Sequence, residues 1–290
     1  MENIKQEDID YTIGLYDIIR EKDLNKLKKN IINSEKKLFG VGVYDSSICE
    51  TLCVDEPIKS LEDRMQIIQQ IKGVDFVFPV KSLDLEEIKE ELLKVCKNQI
   101  KETKKTKKQN SSKKYKLGYV PGTFDLFHCG HLENLMIAME ECEKIVVGVK
   151  SDDLVRRHKN KNPYILEDER KAIIENIKGI DYVYIYDDRD LKKARENIKK
   201  LYGKTIDAVY FGEDLKEDFK RPIEGLEIIF TKRPKELQEV RSTSAYRKKL
   251  GLKDIIQYVS NEESQDAKKA LMKDVVAIKT EEGKDNRDYE

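Results

Sequence analysis

Tryptophan is absent from the 290-residue sequence, and histidine occurs only three times. Charge of either sign is not in excess: 56 Lys and Arg residues are matched by 56 Asp and Glu. A net charge of zero argues against a general nucleic-acid binder, for which a basic face is expected. Long apolar runs are missing too. The best of them, IVVGV at 145–149, falls far short of the roughly 20 residues a membrane-spanning helix needs. The five cysteines (Cys49, Cys53, Cys96, Cys129, Cys142) are too few and too scattered for a disulfide framework. Cys49 and Cys53 stand four apart with no histidine nearby, so no metal-ligand set is expected. The opening MENIKQEDID is acidic and polar, unlike a signal or transit peptide. A cytoplasmic chain with reduced thiols is therefore expected. Apolar residues still make up 39% of the chain, enough for a sizeable core and too many for a mainly disordered or collagenous protein.

What is present is a repeat. RMQIIQQIKGVDFV (64–77) matches RKAIIENIKGIDYV (170–183) at eight of fourteen positions. Upstream, KLFGVGVYDSS (37–47) parallels KIVVGVKSDD (144–153), and YTIGLYDIIREKDLNKL (11–27) parallels LGYVPGTFDLFHCGHLENL (117–135). Order is preserved and the offset falls only from 108 to 106, so chance is a poor explanation. Between the copies, KNQIKETKKTKKQNSSKKYK (97–116) holds nine lysines and one acid. Such a run repels itself and reads as a mobile linker. The expected organisation is a first copy over 1–96, a Lys-rich linker over 97–114, a complete domain over 115–258 and a polar tail over 259–290.

The second copy alternates strands and helices. Strands are expected at 116–120, 145–149, 181–186, 208–212 and 227–230. Helices are expected at about 130–143, 167–178, 191–202 and 242–250. Leu132, Leu135, Met136 and Met139 fall on one face of the first of these helices. This alternation implies right-handed βαβ units and an α/β fold, a Rossmann-like doubly wound parallel sheet. The first copy carries only three strand positions (11–16, 38–43, 75–80) and a third helix over 84–97. It reads as a truncated copy of the same fold, and so small an open sheet needs cover from the second copy or from another chain.

The segment most suggestive of chemistry is GTFDLFHCGH at 122–131, between a strand and a helix. Ligands of open α/β sheets bind at strand carboxyl ends, and a helix start there attracts phosphate. Gly122 and Gly130 would let a ligand approach the backbone. His128 and His131, three apart in the first helical turn, can donate hydrogen bonds to phosphate oxygens as charge develops. At these residues the sequence resembles the cytidylyltransferase-like nucleotidyltransferase family, whose signature is G-x-F-D-x-x-H-x-G-H. Three more segments similar to the family's follow in order: KNKNPYILEDER (159–170), FGEDL (211–215) and RSTSAYRKKL (241–250).

The resemblance implies attack of a substrate phosphate on the α-phosphorus of a nucleoside triphosphate, with pyrophosphate released. It implies that His128 and His131 hold phosphate oxygens and that Lys159 or Lys161 neutralises the acceptor and α-phosphates; spacing does not choose between the lysines. Backbone N–H groups at Thr123 and Phe124 would cradle an anion, and Asp125 would support the loop. Arg170 and Asp214 would line the nucleotide side. Ser242, Thr243 and Ser244 would contact the β- or γ-phosphate, with Arg247 as an added cation. Mg²⁺ would accompany the CTP. The implied acceptor is a small phosphorylated alcohol such as glycerol 3-phosphate, phosphocholine or phosphoethanolamine, a precursor of phospholipid or cell-surface polymer.

One departure bears on the base. Phospho-alcohol enzymes of the family show R-T-E-G-I-S-T-[ST], and here LQEVRSTS (237–244) puts Leu237 at the arginine's place. The strand opening GIDYVYIY still resembles the cytidylyl group. Adenylyl transfer to a sugar phosphate is the alternative, as is a non-catalytic nucleotide-binding module.

In the first copy, Arg20, Glu21, Lys22 and Asp23 stand opposite His128, Cys129, Gly130 and His131, so that copy is expected to be non-catalytic. It would serve as one half of an intrachain pseudo-dimer, or the chain would form a homodimer. No nucleic acid is expected as a partner. Membrane contact is expected only through the Lys-rich linker or through a short amphipathic helix in the tail, with Ala267, Leu271, Val275 and Ile278 on one face.

Overall fold

The computed structural model describes residues 5–49, 51–52, 54–106, 112–212, 223–232 and 235–252. The tail expected over 259–290 lies outside the described residues.

In the first half, β1 (Ile9–Gly14), α1 (Glu21–Asn33), β2 (Leu38–Tyr44), α2 (Leu61–Gln69), β3 (Phe76–Val80) and α3 (Leu85–Thr106) follow in order. The strands form a parallel sheet in the order β1-β2-β3. The second half begins with β4 (Tyr115–Gly122), α4 (Cys129–Glu141), β5 (Cys142–Lys150), α5 (Asp152–Lys159), α6 (Glu167–Glu175) and β6 (Tyr182–Tyr186). It continues with α7 (Leu191–Tyr202), β7 (Ala208–Gly212), β8 (Glu227–Thr231), α8 (Lys235–Val240) and α9 (Thr243–Lys249). Its five strands are all parallel, in the order β6-β5-β4-β7-β8. Strand order reverses between β4 and β7. A Rossmann-like sheet offers its binding crevice at such a switch point.

Two features depart from expectation. The basic stretch expected to be a linker from residue 97 is helical as far as Thr106, because α3 continues through it. Residues 152–159, where no helix was expected, form α5. Ser151 caps it by accepting from Leu154 N at 3.0 Å, and Asp152 and Asp153 place negative charge in its first turn.

The halves share one core. Ile67, Ile68 and Ile71 from the first half join Ile173, Ile174 and Ile177 from the second in a single apolar cluster, each no more than 1% exposed. The cluster also takes in Leu24 and Leu27 of α1 and Leu132 and Leu135 of α4. Helices α1, α2, α4 and α6 thus form a layer between the two sheets. The outer face of the five-stranded sheet is covered by α7 through Leu191, Ala194 and Ile198. That of the three-stranded sheet is covered by α3 through Ile88, Leu92 and Cys96. The small sheet therefore finds its cover inside the chain. Each fully buried isoleucine contributes about 1.5–3 kcal/mol, so apolar burial dominates the joining of the halves.

Polar contacts fix the register of that joint, and they are reciprocal. Ile71 and Ile177 form an antiparallel bridge. Lys72 N donates to Asn176 O at 2.8 Å and Lys178 N to Gln70 O at 2.7 Å. Lys72 Nζ donates to the carbonyls of Glu175 and Ile180, and Lys178 Nζ to those of Gln69 and Val74. Every one of these groups has its counterpart 106 residues along the chain. The sequence repeat is thus a pseudo-twofold axis in space.

A buried lysine lies beside this joint. Lys59 is 2% exposed, donates to Asp17 O, and is pushed down to about 8 by burial. Below that pH the folded state buries a charge that the unfolded chain keeps in water. From about pH 8 to 10 the folded state gives up the proton while the unfolded chain retains it, so stability rises with pH. Between about pH 7.5 and 9.5 this contribution should amount to about 2 kcal/mol. In urea unfolding at both pH values, Lys59→Met should lose that rise. A rise of equal size in the two proteins would contradict the assignment.

Candidate active site

The carboxyl ends of β4 and β5 and the start of α4 open on a cleft of about 440 Å³, within the usual range for small-ligand sites. Its wall begins at the end of β4. Phe124 adopts a left-handed φ of 56°, sparsely populated for a side chain of this size, and its ring covers Gly122 so closely that a Cβ there would lie 2.7 Å from a ring carbon. Gly122 is thus needed for the fold of the loop itself. The first half repeats the device. Tyr16 has φ 53° and covers Gly14 in the same way.

Two buried side chains hold this loop. Asp125, 3% exposed, accepts from the N–H groups of Tyr164 and Ile165, both at 2.9 Å. Arg170 is completely buried. Its guanidinium donates to the carbonyls of Ile165, Thr123 and Lys150 and to the Asp152 carboxylate. These contacts tie the end of β4 to the end of β5 and to the start of α6. Arg170, expected on the nucleotide side, is not part of the cleft lining, and its guanidinium braces the loop instead. The first half again has the same parts. Asp17 accepts from Ile58 N and Lys59 N, and Arg64 donates to the carbonyls of Lys59, Leu15 and Tyr44.

The helix start differs between the halves. His128 is the N-cap of α4, and its Nδ1 accepts from Gly130 N at 3.1 Å. A neutral ring accepting at Nδ1 carries its proton on Nε2. That nitrogen lies 3.4 Å from Thr243 Oγ1, which itself donates to Asp125 O at 3.1 Å. A directed chain therefore runs from Gly130 through His128 and Thr243 to Asp125. The His131 ring stacks on that of His128 at 3.8 Å between centroids and on Phe127 at 5.8 Å, with Phe124 edge-on at 5.4 Å. Both imidazoles border the cleft. In the first half Arg20 occupies the N-cap place and turns to the other half, making a bidentate pair with Glu169 at 2.7 and 2.8 Å. Asp23 accepts from Arg20 N at 2.9 Å, so a carboxylate already fills the helix start.

Of the other expected residues, Thr123, Gly130, Lys159, Ser242, Thr243 and Ser244 also line the cleft. Lys159 closes α5 and is exposed, while Lys161 lies just beyond the helix and is not part of the lining. Arg247 stands behind the wall, donating to Asn162 O at 3.1 Å and 3.7 Å from the Asp125 carboxylate. Asp214 lies outside the described residues. Sequence reasoning missed Lys150, Tyr186, Asp188, Arg189 and Asn134, all in the lining. Lys150 ends a buried strand, and a cation at that place was the available signal.

Chemically, the arrangement sets hydrogen-bond donors and two lysines around a concave space. The Cys129 thiol is buried and its pKa is raised, chiefly by burial, which leaves it unsuited as a nucleophile. Among the described residues no group of three or more His, Cys, Asp and Glu could hold a metal ion, and Asp188 is the one carboxylate in the lining. Nor is any helix among the described residues long and apolar enough to cross a membrane.

A parallel sheet with its cleft at the switch point and paired imidazoles at the first strand–helix junction defines a nucleotidyltransferase-type α/β domain. The cytidylyltransferase-like family model matches residues 119–279, more than half of the chain. The chain belongs to the cytidylyltransferase-like family. Among curated relatives it is 30% identical to the bifunctional protein HldE of Wolinella succinogenes over 152 residues, 50% of this chain and 29% of that protein. It is 39% identical to the bifunctional protein HldE of Geobacter metallireducens over 85 residues, 29% of this chain and 17% of that protein. These matches thus span less than a third of either relative. The structure of the lipopolysaccharide core biosynthesis protein from Thermoplasma volcanium GSS1 superposes with a TM-score of 0.34 at 21% identity, covering 41% of this chain and 98% of that one.

Arg170 offers a direct test of the bracing role. Removing it strands the buried Asp152 carboxylate and three carbonyls, so Arg170→Met should cost about 3–5 kcal/mol in urea unfolding. Normal stability with a loss confined to activity would return Arg170 to the nucleotide.

Proposed function

We propose that this cleft catalyses nucleotidyl transfer, with CTP as the donor and a small phosphorylated alcohol as the acceptor. An acceptor phosphate oxygen bonds to the α-phosphorus of CTP, the bond to the bridging oxygen breaks, and pyrophosphate leaves with that electron pair. No protein nucleophile is needed, because such transfers depend on positioning and charge stabilisation. His128 Nε2–H and the His131 ring donate to phosphate oxygens as charge builds there. The Thr243 hydroxyl, already linked to His128, takes its place beside the β- or γ-phosphate with Ser242 and Ser244. Lys150 and Lys159 offset the charge of the two reacting phosphates. Mg²⁺ bound to the triphosphate would neutralise its outer oxygens. The observation that carries the reading is the stacked His128–His131 pair at 3.8 Å on the wall of the cleft.

A second reading, adenylyl transfer to a sugar phosphate, is favoured by one feature. Half-buried Leu237 of α8 stands where the phospho-alcohol enzymes resembled by this sequence have an arginine.

Pyrophosphate release decides between them. CTP and ATP would each be supplied with glycerol 3-phosphate, phosphocholine, phosphoethanolamine and a hexose phosphate. The proposal expects release from CTP with a phospho-alcohol. His128→Ala and His131→Ala should each lower kcat by about 10²–10³-fold. Release from ATP alone would favour the second reading, and no release from either would contradict both.

A further inference from the structure

The first half lacks both imidazoles, yet it reaches the phosphate-binding wall of the second. Asp63 of α2 is 2% exposed and faces α9 and the start of α4. Its Oδ1 lies 3.1 Å from Arg241 Nε, its Oδ2 accepts from the Tyr246 hydroxyl at 3.4 Å, and its carbonyl accepts from Cys129 Sγ at 3.5 Å. Tyr246 itself is 1% exposed, and its ring centroid lies 5.7 Å from that of His128. Lys59 Nζ stands 5.1 Å over the same ring, and Lys249 Nζ donates to Ile58 O at 2.7 Å.

By the pseudo-twofold axis, Asp63 corresponds to Glu169. Glu169 performs the reverse task, gripping Arg20 and accepting from Glu21 N at 2.8 Å at the start of α1. The Asp63 side differs because it holds an element with no counterpart in the first half. Helix α9 has only seven residues, too few to be stable in isolation. Its place depends on tertiary contacts, and those from the first half converge on Arg241, Tyr246 and Lys249. Ser242, Thr243 and Ser244 lie between the first two of these anchors.

We infer that Asp63 is a positioning residue for nucleotide binding: through Arg241 and Tyr246 the non-catalytic half holds the Ser242–Ser244 segment against His128. This inference rests on the proposed nucleotidyl transfer and adds a task for the first half. Asp63 touches no substrate. Its loss should therefore weaken binding of the triphosphate while leaving turnover at saturation nearly intact.

The test uses the full chain, with CTP binding by calorimetry alongside steady-state kinetics. Asp63→Asn should raise Kd and KM for CTP about tenfold, as expected for loss of a charge-assisted contact, with kcat within about twofold. Asp63→Glu should recover most of the affinity. Arg241→Gln, at a side chain only partly buried, should reproduce the Asp63→Asn defect, and the double variant should be no worse than either single one. A role in folding alone would lower the thermal midpoint and the active fraction without raising KM. Should Asp63→Asn fail to fold, Arg241→Gln decides by the same readout. CTP affinity at the original value in a folded Asp63→Asn or Arg241→Gln chain overturns the inference while leaving the proposed transfer intact. If the unaltered chain binds neither CTP nor ATP, the proposed transfer and the inference fall together.

Discussion

A guanidinium buried beneath the carboxyl ends of two parallel strands is the interaction on which the site depends. Arg170 ties the end of β4, the end of β5 and the start of α6 together. Asp125 closes the same junction by holding the N–H groups of Tyr164 and Ile165. A charge so completely withdrawn from water is tolerated only with every partner in place. Four acceptors surround the Arg170 guanidinium, and the loop between β4 and α4 is held in one shape. That shape includes a left-handed Phe124, and it places His128 where one ring nitrogen caps the helix and the other faces Thr243.

The two halves separate the requirements of the fold from those of the chemistry. Arg64 and Asp17 repeat the clamp in the first half, and Tyr16 repeats the left-handed turn. Among the described residues, that half lacks the imidazole pair and everything equivalent to β7, β8 and α9. Residues present in both halves therefore belong to the scaffold. The imidazole pair, found only in the second, borders the cleft beside Gly122 and Phe124 of the shared turn. The first half uses its helix start for an ion pair across the joint, Arg20 to Glu169.

Much of this was legible in the sequence. The strand at 208–212 and the helix at 191–202 lie where the apolar pattern puts them, bounded by the Asp190 cap and by Gly203 in a left-handed C-cap. The paired histidines are brought to one cleft, as their spacing implied. Arg170, which closes the family-like segment 159–170, reads as a ligand contact because it is charged, whereas in the structure it is buried and not part of the cleft lining. Its repetition as Arg64 in a half without histidines was the signal for a structural role. Helix α5 was not expected, since Leu154 and Val155 are its only apolar residues and leave no helical stripe to read. The lysines from residue 97 read as a mobile linker because like charges repel. The structure instead extends α3 as far as Thr106, a continuation of a helix already anchored by Ile88, Leu92 and Cys96. Asp63 could not have been found from sequence, because its partners lie about 180 residues away, in an element the first half lacks.

The central claim is that the stacked imidazoles receive the triphosphate. A crystal structure of the full chain with a non-hydrolysable CTP analogue tests it most directly. The account expects α- and β-phosphate oxygens within about 3 Å of His128 Nε2 and of a His131 ring nitrogen, with the Thr243 hydroxyl alongside. Phosphates ordered elsewhere in the molecule, with both rings left without contact to the nucleotide, would contradict it.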